Sequence, residues 1–314
     1  IAGAGPIVGP ITAASMFGWL PAYLWCLIGS AFLGGPHDMG SLVASMRHEG
    51  MSVGEVVDRW IGRRGKVLFL CFTILALILV VAVFLQLSAG SFAQDPAVAF
   101  SATLYIFMAV VFGVLIYKYH VPLWLMTVVM VPIVIYACWY GNEAAWVAET
   151  FKLSMETWRW LLVGYIFLAS ILPVWLLLQP RDYLASYFLY FAVIIGSIGM
   201  IMGKGEGFDV VLPAFKGFTA GNQYLWPMLF VVVACGAISG FHSLVGSGTT
   251  SKQLRRESDS VVVGYGSMLL EGLVGVIAVG TIMISGVIAE GGPTMTYAQG
   301  FGKFAAILGI DPKV

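Results

Sequence analysis

The chain has 314 residues, of which 60% are hydrophobic and 10% charged, with a mean hydropathy of +0.92. Too few charges are present to cover a water-facing globule, so the composition excludes a soluble domain and indicates an integral membrane protein. Sixteen basic residues balance sixteen acidic ones without a like-charged tail, which argues against a nucleic-acid partner.

The chain opens IAGAGPIVGPITAAS, an apolar run broken by Gly3, Gly5, Pro6, Gly9 and Pro10. Those glycines do not follow a strand and lack the spacing of a nucleotide-binding turn, which leaves a loop or a broken helix. No initiator methionine, charged leader or cleavage site precedes Ile1, so the chain reads as a fragment whose neighbouring segments lie outside it. Within it, apolar stretches and polar joints mark nine expected membrane segments. The first runs from Ile1 to about Met16 and is a half-helix. The others run over Trp19–Met46, Lys66–Phe92, Val98–Tyr117, Val121–Tyr140, Trp160–Leu178, Tyr183–Met202, Tyr224–Val245 and Val262–Ile288.

Between the second and third segments, MSVGEVVDRWIGRRGK places Glu55 three residues after Ser52, the spacing of a capping box. A short interfacial helix over residues 51–62 is expected, with Val56, Trp60 and Ile61 toward the membrane; a soluble linker is the alternative. Counting basic residues at alternate joints gives ten on one side, from Arg47 to Arg256, and six on the other. The richer side is assigned to the cytoplasm. Cys26, Cys71, Cys138 and Cys235 lie in apolar runs without ligand spacing and read as packing residues, so neither a metal nor another cofactor is expected.

The sixth segment is also interrupted, by Ala169, Ser170, Ile171 and Pro173, with Pro180 at its cytoplasmic end. It lies five spans after the first and runs the opposite way. Matching interruptions in two oppositely oriented five-span halves point to an inverted-repeat transporter that binds its substrate where the helices unwind. Backbone around Gly3, Ala4, Gly5 and Pro6 and around Ala169, Ser170, Ile171 and Pro173 would then line the substrate site. Close packing or a simple kink is the alternative reading of each break.

The blocks GAGPIVGP, HDMGSLVASMRHEGMSVGE, LPVWLLLQPRDYL, ACGAISGFHSLVGSGTTSKQL and GYGSMLLEGLVG occur in order between residues 1 and 275. They resemble the carbon starvation protein A (CstA) family. That resemblance implies an all-α polytopic membrane protein with a LeuT-like 5+5 inverted repeat and discontinuous first and sixth core helices, forming a single transporter domain over residues 1–314. It further implies a secondary active transporter of the bacterial or archaeal inner membrane, importing peptides or small carboxylates such as pyruvate and driven by protons. In such an architecture the ninth span is peripheral. One departure is His37, where family members usually carry a glutamine before the aspartate of the second span.

Ionisable groups inside the membrane are costly, and three are found at similar depth. Counting 1.5 Å per residue from the nearest charged span end, Asp38 lies roughly 13 Å inside, His242 roughly 15 Å and Glu271 roughly 18 Å. Together they are candidates to carry the coupling proton, the alternative being a hydrogen-bonded network that locks helices. The eighth span supplies Ser239 and Ser243, four apart and expected on one helical face, as an alternative sodium site. Arg181 and Asp182 at the end of the sixth segment are candidates for an inner gate or for plain membrane anchors. An intramembrane enzyme is disfavoured because no H-E-x-x-H pair or G-x-S-x-G elbow is present. A non-transporting nutrient sensor is the remaining alternative.

Overall fold

A computed structural model describes residues 4–203 and 208–310, so Gly3 lies outside the described residues. Among the described residues, fifteen α-helices account for most positions, with one hairpin of two-residue strands, because a segment in lipid must satisfy its backbone internally. The opening stretch forms α1 (Gly5–Phe17), with Pro6 in the first turn, where a missing N–H breaks no helical bond. Then α2 (Trp19–Gly29), a π turn (Ser30–Gly34) and α3 (Gly35–Met46) follow end to end.

After these come α4 (Val53–Ile61), α5 (Arg63–Gln94), α6 (Pro96–Tyr117), α7 (Leu123–Glu143), α8 (Ala145–Phe151), α9 (Met155–Ile171) and α10 (Leu178–Met202). Strands β1 (Thr219–Ala220) and β2 (Gln223–Tyr224) pair antiparallel ahead of α11 (Leu225–Val232), α12 (Ala234–Ala237) and α13 (Gly240–Gly246). A 3₁₀ turn (Thr250–Gln253), a second π turn (Val261–Gly266), α14 (Ser267–Ser285) and α15 (Pro293–Ile307) complete the described chain.

The chain divides into two compact units, one built from the described residues of Ile1–Ile78 and Ile195–Leu308, the other from those of Leu79–Ile194 and Gly309–Val314. In the first, Ile11, Ala13 and Ala14 of α1, Ala22 and Cys26 of α2, Val233, Ala237 of α12, and Ala278, Val279 and Ile282 of α14 form a buried core. Its side chains are small because lipid tails offer helices no hydrophobic reason to associate, and close approach must supply the contact energy. A methyl group on Gly272 of α14 would overlap Ser30, which shows how near the two helices run. In the second unit Phe112, Met126, Met130 and Leu184 form one cluster, and Ala89, Ala99 and Trp158 another.

Among the described residues five helices are long and apolar enough to cross a membrane: Arg63–Gln94, Pro96–Tyr117, Leu123–Glu143, Leu178–Met202 and Val261–Ser285. The other four expected segments are short or interrupted. The first is the 13-residue α1, the second contains the π turn, and the sixth stops at Ile171 after 17 residues. That sixth segment was expected to span Trp160–Leu178 with an interruption around Ala169 to Pro173; the helix ends at Ile171, residues 172–177 form turns, and Leu178 starts α10. Pro173 is the cause, since its ring bars the residue before it from helical backbone, and Leu172 is extended at ψ 144°.

Three further expectations are corrected. The eighth span is not one helix: Ile238 and Ser239 are extended, at ψ 98° and 104°, and separate α12 from α13. The ninth span is not peripheral, because 67% of its apolar window is buried, more than in any other of the five. The capping box does not form. Ser52 occupies the N-cap of α4 with extended backbone, yet makes no side-chain cap, because the Glu55 carboxylate is drawn to Lys66 Nζ at 2.8 Å. Trp60 and Ile61 of α4 are exposed, and Trp60 Nε1 donates to His48 Nε2 at 2.8 Å.

Candidate functional site

The two π turns sit directly ahead of the helices that carry buried carboxylates, Ser30–Gly34 before α3 and Val261–Gly266 before α14. Each adds a residue to its turn and re-aims the following side chains, a device frequent at functional sites. Small residues then bring the elements together. A side chain at Gly264 would overlap the backbone of Met39, and one at Gly34 the carbonyl of Ala237. The result places Asp38 on α3, His242 in the first turn of α13 and Glu271 on α14 around one point.

His242 bridges the two carboxylates. Its Nδ1 is 2.6 Å from Asp38 Oδ2, and its Nε2 is 2.9 Å from Glu271 Oε2. The other oxygen of Asp38 is 2.9 Å from His37 Nδ1. Asp38, His242 and Glu271 are 4%, 6% and 3% exposed, so water competes little for these contacts. Beside them Asp38, Ser41, His242, Thr250 and Ser267 border a cavity of about 20 Å³, room for a single water molecule. Glu271 Oε1 is buried without a hydrogen-bond partner among the described residues.

Each nitrogen-to-oxygen contact needs one proton between its atoms. A neutral imidazole has a single N–H, so filling both His242 contacts requires a second proton, on the ring or on a carboxyl group. Withdrawing that proton sets lone pair against lone pair. The three helices then gain a reason to separate, and α13 is attached to α12 only through the extended pair Ile238–Ser239. No group of metal-binding character, with three or more His, Cys, Asp or Glu, occurs among the described residues.

The expected substrate residues fall in different units, Ala4, Gly5 and Pro6 in the first and Ala169, Ser170, Ile171 and Pro173 in the second. At the start of α1 the close approach is to α12: a side chain on Gly5 would overlap Cys235. Replacing Gly5 with alanine is therefore expected to cost about 1–3 kcal/mol in thermal unfolding, and adding Cys235→Gly is expected to restore most of it. Unchanged stability in Gly5→Ala would mean that α1 does not start against α12. Ser170 Oγ donates back to the Phe167 carbonyl at 2.7 Å.

Ser239 and Ser243 do not share a helical face, because Ser239 lies in the extended break. Its hydroxyl is 3.8 Å from Cys235 Sγ, while Ser243 Oγ donates to the Gly240 carbonyl at 2.9 Å. Arg181 and Asp182 stand near the start of α10 and pair with each other at 3.5 Å; Tyr105 donates to the Arg181 carbonyl. At the end of α3, Arg47 binds Glu257 at 2.6 Å and holds that exposed carboxyl below the usual range. The larger cavity, about 420 Å³ within the second unit, is bordered by Asp95, Ser101, Tyr105, Cys138, Asn142 and Phe188, and by none of the expected substrate residues.

Three signals were missed or underused in the sequence. The Ile238–Ser239 break is bracketed by Gly236 and Gly240, whose spacing can mark such a break. Cys235 was assigned to packing without its partner at Gly5. His37 was noted as a departure, but not as a partner of Asp38.

Apolar helices enclosing a bridged set of ionisable groups define an α-helical, multi-pass membrane protein. Residues 1–298 match the sequence profile described as Carbon starvation protein CstA, and the chain belongs to that family. It is 36% identical over 289 residues to the peptide transporter CstA of Escherichia coli, and 38% identical over 293 residues to the pyruvate/proton symporter BtsT of the same organism. Both alignments cover 88% of this chain and 40% of the relative. The Bacillus subtilis peptide transporter CstA is 38% identical over 291 residues, which is 88% of this chain and 47% of that protein. The chain thus spans less than half the length of these relatives. No solved structure matches it.

Proposed function

We propose that the protein is a secondary active transporter that imports peptides or small carboxylates such as pyruvate, coupled to protons, by alternating access. The single observation that carries this reading is His242 bridging Asp38 and Glu271 from three separate helices. Protonation there changes contacts between helices, and a change between helices is what alternating access requires. The printed names of the relatives, a peptide transporter and a pyruvate/proton symporter, supply the substrate classes.

The architecture we assign is the LeuT-like 5+5 inverted repeat, with α1 and the α9 end as its paired interruptions. Substrate binds backbone around Gly3, Ala4, Gly5 and Pro6 and around Ala169, Ser170, Ile171 and Pro173. The positive end of the α1 dipole favours a substrate carboxylate. Sodium coupling through Ser239 and Ser243 is the weaker reading, since one hydroxyl bonds its own helix and the two lie on different backbone segments. Arg181 and Asp182 act as an anchor at the membrane surface, their charges already paired with each other.

Uptake of labelled pyruvate and of labelled dipeptide into proteoliposomes containing the protein tests the reading. Concentrative uptake of one of them under an inward proton gradient is expected, with sodium having no effect. Equal uptake with and without any ion gradient would contradict coupled transport, and absence of uptake of both would favour the sensor alternative.

A further inference from the structure

Asp38 has both carboxylate oxygens occupied by imidazole nitrogens, Oδ2 by His242 and Oδ1 by His37. The two histidines differ in access. The His37 side chain is 36% exposed, against 6% for His242 and 6% for Asp38. Four titratable groups therefore form one line, His37 to Asp38 to His242 to Glu271, with contacts of 2.9, 2.6 and 2.9 Å. One end of the line reaches the surface of the unit and the other is sealed.

We infer that His37 is the relay through which protons reach and leave the buried Asp38. The inference rests on the proton-coupled reading of the bridged carboxylates and names the step that precedes it. A proton binds His37 Nε2, which makes no hydrogen bond among the described residues, and gives an imidazolium. The Nδ1 proton then passes to Asp38 Oδ1, leaving a carboxylic acid and a neutral ring that carries its hydrogen on Nε2. The relay resets by exchange with solvent: Nδ1 takes up a proton when the ring turns outward and Nε2 then releases its own, with no net change. One proton has moved inward, and no electron has moved.

Other ionisable groups packed on α3 do not offer a second route. His242 and Glu271 are interior members of the line, and Tyr265 donates its hydroxyl to the Ala31 carbonyl at 2.7 Å. Lys252 lies over Gly50 beyond the far end of α3. On α4, Glu55 and Asp58 are both bound to Lys66. The Ser41 hydroxyl is committed to the Asp38 carbonyl at 2.8 Å.

The alternative is that His37 only holds Asp38 in place. Glutamine separates the two roles, because its amide N–H can donate to Oδ1 but cannot take up and release a proton. In proteoliposomes with a pH-sensitive dye inside, His37→Gln is expected to slow substrate-dependent proton influx by about tenfold or more. Counterflow exchange, which needs no net proton movement, continues and reports that the variant is folded. His37→Ala is expected to be equally slow and to be accelerated by external imidazole. Wild-type proton influx in His37→Gln would overturn the relay, as would a His37→Ala variant that imidazole does not accelerate. If substrate entry into wild-type proteoliposomes moved no protons at all, the proton-coupled reading itself would fall, so the two failures are distinguishable.

Discussion

Asp38→Asn is expected to abolish substrate accumulation driven by a pH gradient while leaving counterflow exchange in place. Asparagine has nearly the shape of a protonated aspartic acid, and its amide still reaches His37 and His242. It cannot ionise, so the contacts between α3 and α13 stay in one protonation state. A gradient of one pH unit stores about 1.4 kcal/mol per proton, enough for about tenfold accumulation at one proton per substrate. In the variant the ratio of inside to outside substrate should settle near one, since binding and reorientation persist but no proton is carried. Accumulation at the wild-type level would remove Asp38 from the coupling path.

His242→Ala is expected to cost about 3–5 kcal/mol of stability and to stop net transport. Among the described residues the imidazole is the sole partner of Glu271 Oε2, and it holds Asp38 Oδ2, so its removal leaves two buried carboxyl groups without their bridge. His242→Gln should recover part of that loss, because its amide can donate to a carboxylate. It should not recover coupling, because an amide carries no exchangeable charge. Thermal unfolding in detergent measures the first effect and vesicle uptake the second. A fully stable His242→Ala protein would show that the bridge does not hold α13 against α3 and α14.

The juxtaposition of Asp38, His242 and Glu271 was legible because helical rise is fixed. Counting residues from a charged span end gives depth, and groups at one depth in neighbouring helices can meet. Depth says nothing of azimuth, so the identity of the bridging residue and the His37 contact were not legible. Those depend on two π turns that rotate α3 and α14, and no composition signal marks either turn.

The fold shows the same division. Long spans such as Pro96–Tyr117 and Leu123–Glu143 follow closely from hydropathy and flanking prolines. The break at Ile238–Ser239 does not, because Gly236 and Gly240 are equally at home in a packed helix. The interior position of α14 had a usable signal: Gly272, Gly275 and Gly280 lie along it, whereas the lipid-like run of α5 from Leu68 to Leu87 contains no glycine. An apolar helix of either kind looks alike to hydropathy alone. The Ser52 and Glu55 pair had the spacing of a cap, but Lys66, eleven residues away in sequence, outcompetes a neutral backbone N–H for the carboxylate.

The central claim is that protons move with substrate through the bridged carboxylates, and lumenal pH tests it most directly. Proteoliposomes containing the protein and a trapped pH-sensitive dye are given pyruvate or dipeptide outside, in sodium-free buffer at equal pH on both sides, with the membrane potential clamped. The account predicts that substrate influx acidifies the lumen, and that acidification disappears in Asp38→Asn although exchange continues. Substrate influx that requires sodium and leaves lumenal pH unchanged would contradict it.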